Sequence, residues 1–221
     1  MFGELRVVDD VASAFASSVI EAYEQREQDD FSIALSGGPT ARRCYESLAA
    51  EAADRIDWWN VHVYWGDERC VPADSEDSNE RLVREALLEH VGGVYAVHPM
   101  RCSDGADRYQ LLLGELGRLD VIHLGLGPDG HTASLFPGSP ALDADPGRLV
   151  TTSVDLTGRN PFERMTLTLS GIARGRLVIF TIAGASKQEA LQQLIDGADL
   201  PAARVRADEV LWLVDHEAAP R

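Results

Sequence analysis

An acid and an imidazole two residues apart, Asp129 and His131, sit in the glycine-rich stretch Gly125-Leu126-Gly127-Pro128-Asp129-Gly130-His131-Thr132-Ala133-Ser134. The apolar run Val121-Ile122-His123-Leu124 precedes it directly. A carboxylate beside a histidine can hold the ring in one tautomer, and an imidazole with an ordinary pKa near ~6.5 can take a proton from water at neutral pH. General-base help of that kind is worth about 10²–10⁴ in rate. A surface turn with a capping aspartate would carry the same two residue types. The position at a strand end favours chemistry, because open α/β sheets put their sites on such loops. His123, inside the run, reads as a packed and hydrogen-bonded residue.

Three more loops carry useful groups at strand ends. Ser36-Gly37-Gly38-Pro39-Thr40 leads into a helical stretch, where glycines let backbone N–H groups approach an anion. A plain strand-to-helix turn would use the same glycines, and Pro39 offers no N–H. Gly66-Asp67-Glu68-Arg69 joins carboxylates to a guanidinium fork, which suits phosphate or a developing oxyanion. A solvated acidic loop is the plainer alternative, given Asp74, Glu76 and Asp77 close by. Gly184-Ala185-Ser186-Lys187 holds the only lysine among 20 Lys+Arg positions. Ammonium and guanidinium differ in shape and hydration, so a lone lysine among arginines points to a need for the ammonium.

Several chemistries lack their signatures. The match of residues 125–130 to G-x-G-x-x-G is not a dinucleotide site, because Pro137-Gly138 cuts any following helix to about two turns. No Gly-x-Ser-x-Gly elbow and no His-Glu-x-x-His zinc motif occur. Metal-free attack by water, or proton transfer on a phosphorylated small molecule, remains.

Strand-like runs at 5–8, 31–35, 61–65, 94–97, 120–124, 149–153, 164–169, 177–182 and 210–214 position these loops. Helical stretches at 11–26, 40–53, 78–90, 106–117 and 186–196 alternate with many of them. In the first, Ala12, Phe15, Ala16, Val19, Ile20 and Tyr23 repeat at the helical period behind Asp10, a candidate N-cap. The alternation predicts an α/β, doubly wound, mostly parallel sheet with helices on both faces, and a small β-rich excursion near 148–169. Residues 1–221 read as one domain. If the strands are parallel, all four loops open on the same edge.

Net charge is −16 in 221 residues, which argues against nucleic acid and anionic membranes as partners. No apolar run approaches membrane-spanning length. Glu4, Arg6, Asp9 and Asp10 do not fit a secretory signal, and Cys44, Cys70 and Cys102 are scattered. An odd, low cysteine count suits a reducing cytoplasm better than a disulfide scaffold, so a cytoplasmic location is expected.

The motifs resemble those of the 6-phosphogluconolactonases. The matching pieces are Leu35-Ser36-Gly37-Gly38-x-Thr40, Trp65-Gly66-Asp67-Glu68-Arg69-Cys70-Val71-Pro72, Asp77-Ser78-Asn79, the block from Gly125 to Gly138, and Arg164-Met165-Thr166-Leu167-Thr168. The resemblance runs from about residue 5 to about residue 215, and the Gly-His block is its most specific part. It implies a fold shared with glucosamine-6-phosphate deaminases and hydrolysis of 6-phospho-D-glucono-1,5-lactone to 6-phosphogluconate in the pentose phosphate pathway. It also implies no cofactor and no metal. Carried over by position, His131 would be the general base and Asp129 its orienter. Arg69 would steady negative charge on the phosphate or on the tetrahedral intermediate, and Gly37, Gly38, Thr40 and Lys187 would hold the phosphate. Asp67 matches an acid that moves a proton in the deaminases. The family often has Ser at the position of Pro39 and Pro at that of Ala41, which removes one hydroxyl and one N–H contact here. The expected ligand is a phosphosugar lactone, with no nucleic acid or membrane partner and a monomeric state. A glucosamine-6-phosphate deaminase or isomerase, and a non-catalytic sugar-phosphate sensor, are the competing readings.

Overall fold

Five consecutive buried residues, Phe31–Leu35, form β2. A strand hidden at every position needs cover on both faces, which is why it reads as an unbroken apolar run. In the computed structural model, which describes residues 1–220, β2 lies inside a seven-stranded sheet. The other strands are β1 (Glu4–Val7), β3 (Val61–Trp65), β4 (Asp67–Arg69), β5 (Ala96–Val97), β6 (Leu119–Gly125), β7 (Val150–Ser153), β8 (Arg164–Leu167), β9 (Gly175–Ile182) and β10 (Glu209–Val214). The large sheet runs β1-β10-β9-β6-β2-β3-β5, and each of its pairings is parallel. The small one runs β4-β8-β7 and is antiparallel.

After β2 the chain adds β3 and β5 on one side. It then returns to add β6, β9 and β10 on the other. The reversal makes the β2/β6 boundary a topological switch point, where crossovers diverge and leave a crevice beyond the carboxyl ends.

The helices are α1 (Val11–Glu24), α2 (Pro39–Glu51), α3 (Asn79–Val83), α4 (Ala106–Leu116), α5 (Leu169–Ile172) and α6 (Gln188–Ile195). The Asp10 carboxylate caps α1 by accepting from the Ala12 N–H at 2.9 Å. On β6, His123 packs against Phe15 of α1 and Tyr45 of α2. Its neighbours Ile122 and Leu124 point the opposite way, as the pleat requires. There Ile122 and Ile172 of α5 both close on Gly175. The sheet is therefore covered on both faces.

Two details differ from the sequence expectation. Asp67–Arg69 is not a loop but β4, which pairs with β8 through Asp67↔Thr166 and Arg69↔Arg164. Three residues are too few to show an alternating pattern. Gly66 couples the sheets: its N–H donates to the Leu35 carbonyl and its carbonyl accepts from the Leu167 N–H, each at 2.8 Å.

The second difference is a disulfide between Cys70 and Cys102, residues 32 apart, where unpaired thiols were expected. No local spacing reveals it, because it closes between β4 and the segment ahead of α4. Cys44 is free and buried. Closing a loop of this length is worth about 3–4 kcal/mol in the chain-entropy model. Thiol titration of unreduced, denatured protein is expected to find one reactive cysteine, and reduction is expected to lower the urea midpoint. Three reactive thiols before reduction would remove the cross-link.

Candidate active site

The four loops named by the sequence meet beyond the carboxyl ends of β2, β3, β6 and β9, around a crevice of about 540 Å³. Gly38, Arg69, His131 and Lys187 all line it. A second cleft, of about 510 Å³, lies near the amino ends of β1, β9 and β10. Its charges are satisfied locally, for example Arg6 with Glu4 at 2.6 Å and Arg176 with Asp120 at 3.7 Å. It contains neither a histidine nor an unpaired lysine.

The loop after β6 is built to present one ring. His131 Nδ1 lies 2.5 Å from Asp129 Oδ1, and the His131 backbone N–H donates to the same oxygen at 3.2 Å. The Gly127 N–H donates to the His131 carbonyl at 2.8 Å and closes the turn. The imidazole then lies directly over Gly127, where an added Cβ would come within 2.1 Å of Nδ1. Glycine at 127 is thus required by the ring, not by backbone conformation. Burial raises the Asp129 pKa, but the His131 charge and hydrogen bonds outweigh it, so the carboxyl sits below its ordinary value and stays ionised. A neutral imidazole donating Nδ1–H to that carboxylate keeps its lone pair on Nε2. Ala133 adopts φ +47°, the only positive φ outside glycine among the described residues. Such strain is retained where the surroundings enforce it, and here it precedes Ser134, whose hydroxyl donates to Asp67 Oδ2 at 2.6 Å.

The glycine turn after β2 is held from beneath. The Ser36 N–H donates to Tyr45 Oη at 2.7 Å, and the Ser36 hydroxyl donates to the His123 carbonyl at 2.8 Å. His123 is buried, 2.8 Å from both Tyr45 Oη and Thr181 Oγ1, and burial pushes its pKa down to about 3. It is the packed, hydrogen-bonded residue that the sequence suggests. Gly38 caps α2 at φ +105° and ψ 169°, a region open essentially to glycine alone. Pro39 occupies the first helical turn, where its missing N–H costs no intrahelical bond. The N–H groups of Thr40 and Ala41 fall in the first turn of α2, where helical N–H groups have no intrahelical acceptor.

Arg69, Arg164 and Lys187 bring positive charge to the crevice. Arg69 donates Nη1 to the Asp77 carbonyl at 2.5 Å, while its buried Nε has no partner. Arg164, 6% exposed, stands beside it across the β4–β8 ladder. Burial first and Arg69 second lower the Arg164 pKa. Lys187 is half-buried; burial lowers its pKa and Asp129 offsets part of that. None of these three cations makes an ion pair with a carboxylate among the described residues. Asp67 and Glu68 are instead tied to neighbouring donors. Glu68 accepts from the backbone N–H groups of Arg69, Asn79 and Glu80 at 2.6, 2.8 and 2.7 Å. Burial nonetheless pushes its carboxyl up.

A histidine–carboxylate pair facing cations without carboxylate partners over a glycine turn suits a phosphorylated, hydrolysable ligand, and the comparisons agree. A family model described as glucosamine-6-phosphate isomerases/6-phosphogluconolactonase matches residues 5–212. The chain belongs to that family. A 6-phosphogluconolactonase of Synechocystis sp. is 39% identical over 219 residues, 90% of this chain and 87% of that protein. The 6-phosphogluconolactonase structure from Trypanosoma cruzi has a TM-score of 0.86 at 28% identity, covering 99% of this chain and 96% of that one. A monomeric glucosamine-6-phosphate deaminase structure also matches, at a TM-score of 0.81 and 20% identity, covering 97% of this chain and 98% of that one, which establishes the fold alone.

Within this family frame, every residue given a role by the resemblance borders the crevice except Asp129, which stands behind His131, while Glu68 lies outside it. Sequence reasoning gave no role to Arg164, Asn79 or Ser134. All three lay in quoted motifs, but only the β4–β8 pairing and the start of α3 bring Arg164 and Asn79 to the wall. Gly127→Ala is expected to displace the ring and cut turnover by about 10² or more with little change in circular dichroism. Wild-type turnover in that variant would mean the ring over Gly127 is not the reacting group.

Proposed function

We propose that this chain hydrolyses 6-phospho-D-glucono-1,5-lactone to 6-phosphogluconate, the lactonase step of the pentose phosphate pathway. The observation that carries the reading is His131, backed by Asp129, standing in one crevice with three cations that lack carboxylate partners among the described residues. Membership in the family and the 39% identity to a 6-phosphogluconolactonase support the same choice.

In this mechanism His131 Nε2 takes a proton from water as its oxygen adds to lactone carbon 1. Asp129 holds the ring and steadies the imidazolium that forms. Arg69, with Arg164 beside it, meets the charge that develops on the carbonyl oxygen or the charge already on the phosphate. A donor lost from an oxyanion costs about 10²–10³ in rate. The tetrahedral intermediate then collapses, the bond from carbon 1 to the ring oxygen breaks, and the imidazolium returns its proton to that oxygen. The Gly37 and Gly38 backbone, Thr40 and Lys187 hold the phosphate, so that remote binding energy orients carbon 1. We assign Asp67 to holding the crevice wall, since its carboxylate already accepts from Ser134 and Asn79.

We treat residues 1–221 as one catalytic domain, because the crevice draws on both sheets. A crevice complete within one chain supports a monomer as the working unit. The Cys70–Cys102 bond removes the cysteine argument for a reducing compartment; a charged phosphosugar is retained where it is made, and on that ground alone we place the reaction in the cytoplasm.

The deciding experiment is a rapid assay of lactone loss, corrected for the spontaneous reaction, on wild type and His131→Ala. The expected result is rapid hydrolysis by wild type and a loss of about 10²–10⁴ in the variant, with 6-phosphogluconate affinity retained. Ammonia release from glucosamine 6-phosphate would transfer the chain to the deaminases. Binding without acceleration would make it a sensor.

Lys187 supplies a second test. Its depressed pKa means that the ammonium is lost at lower pH than that of an exposed lysine, and phosphate affinity goes with it. KM is therefore expected to rise through the alkaline range in wild type and to be high at all pH values in Lys187→Ala. In Lys187→Arg the charge persists, so the alkaline rise disappears while the fit is only partly restored. A wild-type KM in the alanine variant would place the phosphate elsewhere.

A further inference from the structure

Asn79, the first residue of α3, is 1% exposed, and its amide can stand only one way round. Nδ2 donates to the Asp67 carbonyl at 2.8 Å and lies 3.4 Å from Asp67 Oδ1. Oδ1 must then point away from Asp67, and it finds no donor. It presses instead on Gly37, where an added Cβ would come within 1.8 Å of it. A buried acceptor without a partner is a cost that native folds seldom keep. Here the uncompensated oxygen is the point where the wall bearing Arg69 touches the turn that precedes α2.

The contact is one link in a continuous series. The His131 loop reaches Asp67 through the Ser134 hydroxyl, Asp67 reaches Asn79, and Asn79 reaches Gly37. We infer that Asn79 is a positioning residue that sets the separation between the base-bearing loop and the glycine turn, and so matches the crevice to the span from a lactone carbonyl at carbon 1 to a phosphate on carbon 6 of the same sugar. This rests on the lactonase reading above. It assigns Asn79 no contact with the reacting atoms; its effect passes through Gly37 and Asp67.

The consequence is selective. If the spacing is what Asn79 provides, its loss uncouples phosphate binding from orientation at carbon 1 and leaves the intrinsic base intact. The test compares kcat/KM for 6-phospho-D-glucono-1,5-lactone with that for unphosphorylated D-glucono-1,5-lactone, in wild type, Asn79→Ala and Ser134→Ala. Wild type is expected to favour the phosphorylated substrate strongly. In Asn79→Ala that preference is expected to fall by about ten- to a hundredfold, with the rate on the unphosphorylated lactone within about twofold of wild type. Ser134→Ala breaks the same series one link earlier and is expected to reduce the preference in the same sense, which keeps the inference testable if Asn79→Ala does not fold. A parallel loss on both substrates would mean a general structural role, and an unchanged preference would mean none; either overturns the assignment. A wild type that hydrolyses neither lactone overturns the functional reading instead, and this inference with it.

Discussion

Parallel pairing sends every carboxyl end of the seven-stranded sheet to one edge, and the reversal of strand order between β2 and β6 opens that edge at its middle. Groups far apart in the chain meet there because of that constraint. The glycine turn leaves β2, the histidine turn leaves β6, the Asp67–Arg69 segment continues from β3, and Lys187 follows β9. Gly66 adds a second constraint. By bonding to both Leu35 and Leu167 it swings the chain out of the large sheet and into the small one, so that Arg69 and Arg164 close the crevice from the side.

The electrostatics of the crevice run against those of the molecule. A chain of net charge −16 repels anions at long range, yet three of its cations have no carboxylate partner among the described residues where the loops converge. Many arginines elsewhere do pair with carboxylates, as in Arg81–Glu85 at 2.6 Å and Arg204–Asp199 at 2.6 Å. The acids beside the crevice cations are held by other donors, Glu68 by the start of α3 and Asp67 by Ser134. Local geometry thus overcomes the general field within the few ångströms where screening by salt is weak.

Much of this was legible in the sequence, for physical reasons that can be named. Buried parallel strands announce themselves as apolar runs, and glycine turns at their ends are hard to disguise. The solitary lysine stood out by composition alone. What stayed hidden depends on contacts between distant residues. Ser134 matters because it meets a carboxylate 67 positions away, and Arg164 because a three-residue strand pairs with its own. The Cys70–Cys102 link spans two elements whose approach no periodicity records. Asn79 was visible in a motif, but its role depends on an amide orientation that only the neighbouring carbonyl fixes.

An open sheet also has two rims whose unpaired backbone groups can recruit strands from other molecules. Here one rim, β5, is two residues long, too short to template a ladder. The other, β1, is four residues long and carries Glu4 and Arg6 paired at 2.6 Å along its exposed side. A newcomer docking there would have to strip water from both charges before forming its first backbone bond. The fold thereby guards itself against lateral growth into fibrils at both ends of a sheet whose centre is left open for a ligand.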